Sequence, residues 1–196
     1  LGVFYLPHCK GLVKNENGSY FYDIEDLDHN GNVDLSDGGD RYIAGQATPK
    51  VILGSNISFR YKNYYISIQM NGAFGHKIFN GTGLAYTSMA CFPDYNVLKD
   101  APKKNIIDQR VSDYWLEKGD YLNFEHLTLG YNVPLRSKLI RSLRVSCNIS
   151  NIGTITGYKG LTPMINSYVV NSTMGIDDKR NYPLYRTYSL GLSVQF

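Results

Sequence analysis

Residues 26–37 have the types and the spacing of a calcium-binding loop. Side chains with oxygen atoms stand at loop positions 1, 3, 5, 9 and 12, and Gly31 stands at position 6, where such loops turn sharply. Ca²⁺ takes six to eight oxygen ligands, and this loop could supply most of them. We therefore predict a structural calcium site that stabilises the loop, with ligands Asp26, Asp28, Asn30, Asn32 (through its main-chain carbonyl), Asp34 and Asp37. An Asx-rich turn in a hydrophilic loop is the alternative interpretation.

No pattern of catalytic residues accompanies this loop. The four histidines are far apart and form neither an HxH nor an HExxH motif, and the sequence has no Gly-x-Ser-x-Gly motif. Glu117 and Asp120 could suggest a glycosidase pair, but they fit better as solvated residues at a strand end. Cys9, Cys91 and Cys147 lack metal-ligand spacing and are predicted to be free thiols. We therefore do not expect an enzyme.

The composition of the chain predicts an all-β structure. Of its 196 residues 43% are hydrophobic, 17 are Tyr and 19 are Gly. No stretch approaches the roughly 18 consecutive apolar residues that a membrane-spanning helix needs. The net charge of +3 is small and scattered, which argues against a nucleic-acid partner.

Five segments alternate between apolar and polar residues, as β-strands do when their two faces meet different surroundings. The clearest is residues 184–196, where Leu190, Leu192 and Val194 alternate with Gly191 and Ser193. The other four segments are residues 50–60, 64–79, 119–133 and 142–157, and a sixth strand is expected at residues 1–8. The pattern predicts an antiparallel sheet of about six strands.

Three features favour a transmembrane β-barrel over a soluble β-sandwich. The polar positions hold mainly Ser, Thr, Asn, Gln and Arg, which suit a hydrated lumen. The connections also alternate in length, as short periplasmic turns and long extracellular loops do in outer-membrane barrels. The short ones are Lys62-Asn63 and residues 134–141, and the long ones are residues 80–113 and 159–182. The third feature is a predicted interfacial girdle at one level, formed by Tyr61, Tyr64, Tyr131 and Phe196.

Six strands are too few to close a membrane barrel, since the smallest bacterial barrels have about eight. We therefore expect the chain to be the C-terminal part of a larger barrel, with residues 1–8 entering in the middle of a strand. The last strand also has the pattern of a terminal signal that the outer-membrane assembly machinery reads. The predicted signal residues are Tyr188, Leu190, Leu192, Val194 and Phe196.

Several longer motifs follow one another in order along nearly the whole chain. They are residues 111–122 (VSDYWLEKGDYL), 127–134 (LTLGYNVP), 148–152 (NISNI), 158–163 (YKGLTP), 175–177 (GID), 182–183 (YP) and 186–192 (RTYSLGL). Together they resemble the SusC/RagA-type TonB-dependent outer-membrane transporters. The resemblance implies a barrel of about 22 strands with a plugged lumen, embedded in the lipid of a Gram-negative outer membrane.

The resemblance also implies partners and cargo. A SusD-like surface lipoprotein would cover the barrel, and the TonB complex would supply the energy for transport. The imported molecules would be glycan oligomers or peptides. The plug and the TonB-contacting segment would belong to the rest of such a protein. From the residues alone, two alternatives stay open: a passive porin-like barrel, and a secreted calcium-binding β-sandwich that recognises carbohydrate.

Overall fold

The computed structural model describes residues 2–36, 38–136, 139–165, 174–179 and 181–196. The chain separates into two compact units, each built from three segments. The first, which we call the loop unit, comprises residues 1–49, 75–119 and 158–182. The second, which we call the sheet unit, comprises residues 50–74, 120–157 and 183–196.

Strands dominate both units. The strands are β1 (Val3–Leu6), β2 (Cys9–Lys14), β3 (Tyr20–Ile24), β4 (Tyr42–Gln46), β5 (Val51–Tyr61), β6 (Tyr64–Phe74), β7 (Lys77–Asn80), β8 (Leu116–Lys118), β9 (Tyr121–Val133), β10 (Ser142–Thr156), β11 (Ile176–Asp177) and β12 (Thr187–Gln195). The helices are α1 (Gly81–Thr87), α2 (Ala101–Lys104) and two 3₁₀ turns, Met89–Cys91 and Asp113–Trp115. No helix in the described residues is long and apolar enough to cross a membrane.

The sheet unit is one antiparallel sheet in the order β12-β10-β9-β6-β5. These are the five strands that the alternation predicts. The sixth strand, expected at residues 1–8, forms as β1 but does not join this sheet, because it pairs with β4 instead. Four residues reach only about 13 Å at ~3.3 Å per residue, whereas a membrane-spanning strand needs about 9–11 residues. The sixth-strand prediction was therefore wrong in its placement.

The connections of the sheet follow the predicted asymmetry of length. Residues 62–63 join β5 to β6, and residues 134–141 join β9 to β10, so both short connections lie at the same end of the sheet. The connections from β6 to β9 and from β10 to β12 are long and leave the opposite end. Which end faces outward stays a prediction.

The loop unit has a hydrophobic core of its own. Ile106 is fully buried, and Tyr22, Phe79 and Trp115 pack in the same core; Ile78 is also fully buried. Around them lie the β2-β3 hairpin, the β1-β4 pair and the small sheet β11-β7-β8, whose β11-β7 pairing is parallel. The long connections are therefore folded structure in the part of the chain described, and not open loops.

Candidate functional site

One face of the five-stranded sheet is apolar and open to its surroundings. On β12, Tyr188 is 66% exposed, Leu190 is 85% exposed and Leu192 is 69% exposed. At the opposite edge of the sheet, Ile57 and Phe59 of β5 are also exposed. Large exposed apolar surfaces mark contact with another protein or with a membrane.

The predicted assembly signal lies on this apolar face. Tyr188, Leu190, Leu192 and Val194 belong to β12, which pairs with β10 along its whole length, and Phe196 follows the strand and is exposed. Their exposed, alternating side chains are accessible to a partner. Their recognition by the assembly machinery stays a prediction.

Three of the four predicted girdle residues form one row across the sheet. Tyr61 pairs with Tyr64, and Tyr64 pairs with Tyr131, with 4.6 Å between the ring centroids of the last two. The same row continues through β10 to Leu192. Phe196 is four residues further along and so lies outside the row, and its level in the membrane stays a prediction because barrel strands are tilted.

The other face of the sheet is a network of hydrogen-bonded polar side chains. The Ser58 hydroxyl donates to Ser67 Oγ (3.0 Å), and the Ser67 hydroxyl donates to Asn56 Oδ1 (2.9 Å). Further along, Arg144 Nε donates to Asn132 Oδ1 (2.9 Å). Short polar side chains that bond to one another in this way suit the wet interior of a barrel.

A β-bulge adds a carboxylate to this polar face. The register between β6 and β9 shifts between Gln69 and Met70, which leaves Glu125 of β9 as an extra, unpaired residue. Glu125 Oε2 accepts hydrogen bonds from Gln69 Nε2 (3.3 Å) and Asn71 Nδ2 (3.1 Å). Strict alternation puts Glu125 on the apolar face, so only the bulge explains its polar partners.

A second bulge provides hydrogen-bond acceptors for Arg186, the residue before β12. The register between β9 and β10 shifts between Ser150 and Gly153, where Asn151 has a φ of +53°. Arg186 donates from Nε to the Asn151 carbonyl (3.5 Å) and from Nη2 to the Ile152 carbonyl. The guanidinium thus satisfies main-chain acceptors that the bulge removes from the ladder.

In the loop unit, five of the six predicted calcium ligands are described, and Asp37 lies outside the described residues. Gly31 has a φ of +88°, the left-handed conformation that the predicted turn requires. Asp26 accepts hydrogen bonds from the main-chain N–H groups of Asn30 (3.3 Å) and Gly31 (2.8 Å). The Gly31 N–H is the largest cause of the lowered pKa of Asp26, so this carboxylate is charged at neutral pH.

The Asp34 carboxylate accepts hydrogen bonds from a residue two positions further along the loop. Its two carboxylate oxygens accept from the main-chain N–H (2.8 Å) and the hydroxyl (2.7 Å) of Ser36. The Ser36 hydroxyl and then its N–H lower the pKa of Asp34. Asn32 N–H donates to Asn30 Oδ1 (2.8 Å), in another local turn.

The loop also depends on a carboxylate outside the predicted ligand set. Asp40 is fully buried and accepts from the main-chain N–H groups of Leu27 (2.5 Å), Asp28 (3.3 Å) and Asp34 (2.7 Å). Oxygen atoms of Asp26, Asp28 and Asp40 lie within 4.8 Å of one another. The twelve-residue pattern ends before Asp40, so the sequence analysis missed this residue.

Asp113, within the 111–122 motif, holds three separate segments of the loop unit together. Its carboxylate oxygens bind His8 Nδ1 (2.6 Å), the Cys9 N–H (2.7 Å) and the Tyr42 hydroxyl (2.8 Å). Burial alone would raise the pKa of Asp113, but the hydrogen bonds from these groups outweigh burial and lower it. Asp113 is therefore an anion at neutral pH that holds these segments together.

Other motif residues have similar structural roles. Asp177, which is buried, accepts from the hydroxyls of Thr82 and Tyr158, each at 2.7 Å. Burial, followed by the Asp177 carboxylate, raises the pKa of Tyr158, which keeps its hydroxyl a neutral donor. Glu117 accepts from Asn80 Nδ2 (2.9 Å) and the Lys159 N–H (2.8 Å), so it is engaged and not freely solvated as predicted.

Comparison with known proteins gives relatives of one kind. The chain is 28% identical to TonB-dependent receptor P3 of Formosa agariphila in an alignment of 188 positions, which covers 87% of this chain and 18% of that protein. It is 27% identical to TonB-dependent receptor SusC of Bacteroides thetaiotaomicron in an alignment of 198 positions, gaps included, which covers 94% of this chain and 18% of SusC. The chain thus spans about a fifth of the length of the curated relatives it matches. No protein-family model matches the chain.

Solved structures with this fold are also available. The RagAB peptide importer in its open-open state covers 98% of the chain with a TM-score of 0.71 at 19% identity, and the match takes in 22% of that protein. Its closed-closed state covers 100% of the chain with a TM-score of 0.67 at 16% identity. These structures confirm the fold class, an antiparallel β-barrel portion, and the relatives confirm the resemblance read from the motifs.

Proposed function

Because this chain resembles the SusC/RagA-type TonB-dependent receptors in both sequence and fold, we propose that it forms the C-terminal barrel strands of an energised outer-membrane importer. The observation that carries the proposal is the division of the five-stranded sheet into an exposed apolar face and a hydrogen-bonded polar face. A strand with lipid on one side and water on the other has this pattern. The relatives, which are named as receptors, favour this function over the sandwich and over an enzyme.

The partners and the cargo belong to the same proposal. We infer that a SusD-like surface lipoprotein caps the barrel and that the TonB complex energises it through another part of the full-length protein. The cargo is a glycan oligomer or a peptide. The RagAB structures support import as the function and a peptide as one possible cargo, because RagAB is named as a peptide importer.

Uptake measurements in the native bacterium test the importer function. We expect deletion of the gene to abolish uptake of one class of labelled oligomer, either glycans or peptides, and full-length receptor to restore it. Loss of TonB or of the proton-motive force should have the same effect as the deletion. Uptake that depends on the gene but continues without TonB would contradict the proposal and favour the passive porin.

Affinity purification tests the proposed lipoprotein partner. We expect full-length receptor extracted in mild detergent to bring down one stoichiometric surface lipoprotein. A receptor that transports its cargo but is recovered alone from cross-linked cells would contradict this part of the proposal.

We also propose that the loop at residues 26–37 binds calcium. The charged carboxylate of Asp26, the left-handed Gly31 and the convergence of Asp26, Asp28 and Asp40 support it. In the full-length receptor, we expect calcium titration by calorimetry to give heat that Asp28→Asn reduces, while Asp23→Asn, an acid outside the loop, does not change it. Absence of heat with Ca²⁺ in the unaltered receptor would leave only the Asx-turn interpretation.

A further inference from the structure

A cavity in the loop unit has no role in the function described so far. It encloses about 510 Å³, within the size range of small-ligand sites, and lies beside α1, α2 and β8. Four lysines contribute to its lining: Lys99, Lys103, Lys104 and Lys159. Trp115 forms part of the wall, and Thr87 at the end of α1 forms another part.

The lysines give the cavity an excess of positive charge. Asp100 and Glu117 are the acidic residues in the lining, so two positive charges remain after both are counted. Asp100 binds Lys104 Nζ (2.7 Å), and Glu117 is occupied by Asn80 and the Lys159 N–H. Lys99, Lys103 and Lys159 have no ion pair within the part of the chain that is described. Their ammonium groups are therefore available to an anionic ligand.

Thr87 provides an independent indication of a ligand. Its side chain is fully buried, and its hydroxyl oxygen has no hydrogen-bond partner among the described residues. Buried hydroxyls are normally hydrogen-bonded, because an unpaired one loses its bond to water and gains nothing in return. Thr87 belongs to the wall of the cavity, so a ligand there is one source of the missing acceptor.

The aromatic wall is held in a fixed position. Trp115 Nε1 donates to the Tyr22 hydroxyl (2.8 Å), and Lys104 Nζ lies 6.0 Å from the centre of the indole ring. Burial raises the pKa of Tyr22 to about 12, so its hydroxyl stays neutral and can accept this bond. A rigid aromatic surface beside ammonium groups suits a ring that has an apolar side and an anionic substituent.

The available hydrogen-bonding groups distinguish a saccharide from a peptide. Among the side chains of the lining, the groups without a hydrogen bond or ion pair in the described part of the chain are three ammonium groups, which only donate, and one hydroxyl, which can donate, whereas both carboxylates are already engaged. A saccharide offers ring, hydroxyl and carboxylate or sulfate oxygens as acceptors. A peptide brings main-chain N–H groups, which would find few free acceptors here.

We propose that this cavity binds an acidic sugar unit, bearing a carboxylate or a sulfate, of a glycan that the importer takes up. The inference rests on the proposed importer function and specifies its cargo. The lysines bind the anionic substituent, Thr87 donates to a sugar oxygen, and Trp115 contacts the ring.

Calorimetry on the full-length receptor in detergent tests the proposal with chosen probes. We expect digalacturonate or a sulfated disaccharide to bind at least about tenfold more tightly than maltose, and the stronger of the two identifies the anionic group. Lys103→Gln and Lys159→Gln should each weaken that binding about tenfold and reduce its dependence on salt. Lys10→Gln, which removes a lysine of β2 outside the cavity, is the matched control and should change neither.

Thr87→Val separates a ligand contact from a structural role, because valine keeps the shape and removes the hydroxyl. We expect the variant to keep the melting temperature of the receptor and to bind the acidic disaccharide about fivefold more weakly. A lower melting temperature with unchanged affinity would overturn the role of Thr87. Equal binding of maltose, or tighter binding of triglutamate, would overturn the cavity assignment. In either case TonB-dependent uptake of another cargo would leave the importer function intact.

Discussion

Gly130 of β9 stands directly opposite Tyr65 of β6, and the tyrosine ring occupies the space that a side chain would need. We expect Gly130→Ala to destabilise the sheet. A Cβ atom built at this position would lie 1.7 Å from Tyr65 Cε1 and 2.2 Å from Cζ, whereas ordinary contacts begin near 3.4 Å. The ring would therefore have to move by nearly 2 Å.

That movement has a further cost, because Tyr65 also contacts Arg144. The guanidinium lies 5.3 Å from the centre of the ring, so displacing the ring weakens a cation–π contact as well. Overpacking of this kind costs about 1–3 kcal/mol. We expect a loss of that size in the free energy of unfolding.

Urea unfolding of full-length receptor, followed by heat-modifiable migration on gels, measures this loss. Gly54→Ala is the matched control, because nothing lies within 4 Å of a Cβ atom built at Gly54. A double-mutant cycle with Tyr65→Ala identifies the cause: once the ring is gone, Gly130→Ala should cost at most about 0.5 kcal/mol. An equal cost with and without the ring would refute the steric explanation.

Three further predictions concern residues with defined partners. Tyr22→Phe should leave the Trp115 Nε1–H without its acceptor and reduce the protection of the loop unit by about 1–2 kcal/mol in hydrogen exchange; unchanged protection would contradict the importance of this bond. The folded-state pKa of Asp113 is lowered from 3.8, so its stabilising effect is present above pH 3.8 and is lost as the pH falls through the folded value. Asp113→Asn should therefore weaken the hydrogen-exchange protection of the Cys9 N–H by about 1–3 kcal/mol at pH 7. The protection that remains should depend less on pH in the acid range, and a variant whose protection still falls steeply with acid would disprove this. Deletion of Phe196 should impair assembly of the full-length receptor in the outer membrane, whereas Lys10→Gln should not; normal surface yield after the deletion would count against the signal.

The sheet was predictable because its two faces meet different surroundings. Successive side chains of a strand point to opposite faces, so residues 50–60, 119–133 and 142–157 alternate between apolar and polar types. The strands begin and end within a few residues of the predicted bounds. The bulges were not predictable, since an extra residue such as Glu125 inverts the alternation without any signal in composition.

The loop unit was less accessible to sequence analysis. Its contacts join residues far apart in sequence, such as Asp113 with His8 and Tyr42, and no periodic pattern encodes such pairs. The motifs revealed the family resemblance, but not that Asp113 and Asp177 hold distant segments together by hydrogen bonds. Similarly, the spacing of the calcium-loop pattern identified Asp26 and Asp28. Asp40 lies after that pattern in the sequence, and only the folded path of the chain brings it beside them.

The division of the loop unit into three sequence segments has a consequence for biogenesis. Its core joins Tyr22 to Trp115, and Thr82 bonds to Asp177, so the contacts that complete it close loops of about ninety residues or more. Contacts between residues so far apart in sequence form slowly, because closing the loop between them reduces the entropy of the chain before the contact can stabilise the fold. Most of the polypeptide must therefore be available before this unit can mature. Until then its apolar residues, among them Ile78 and Ile106, would be exposed and prone to aggregation.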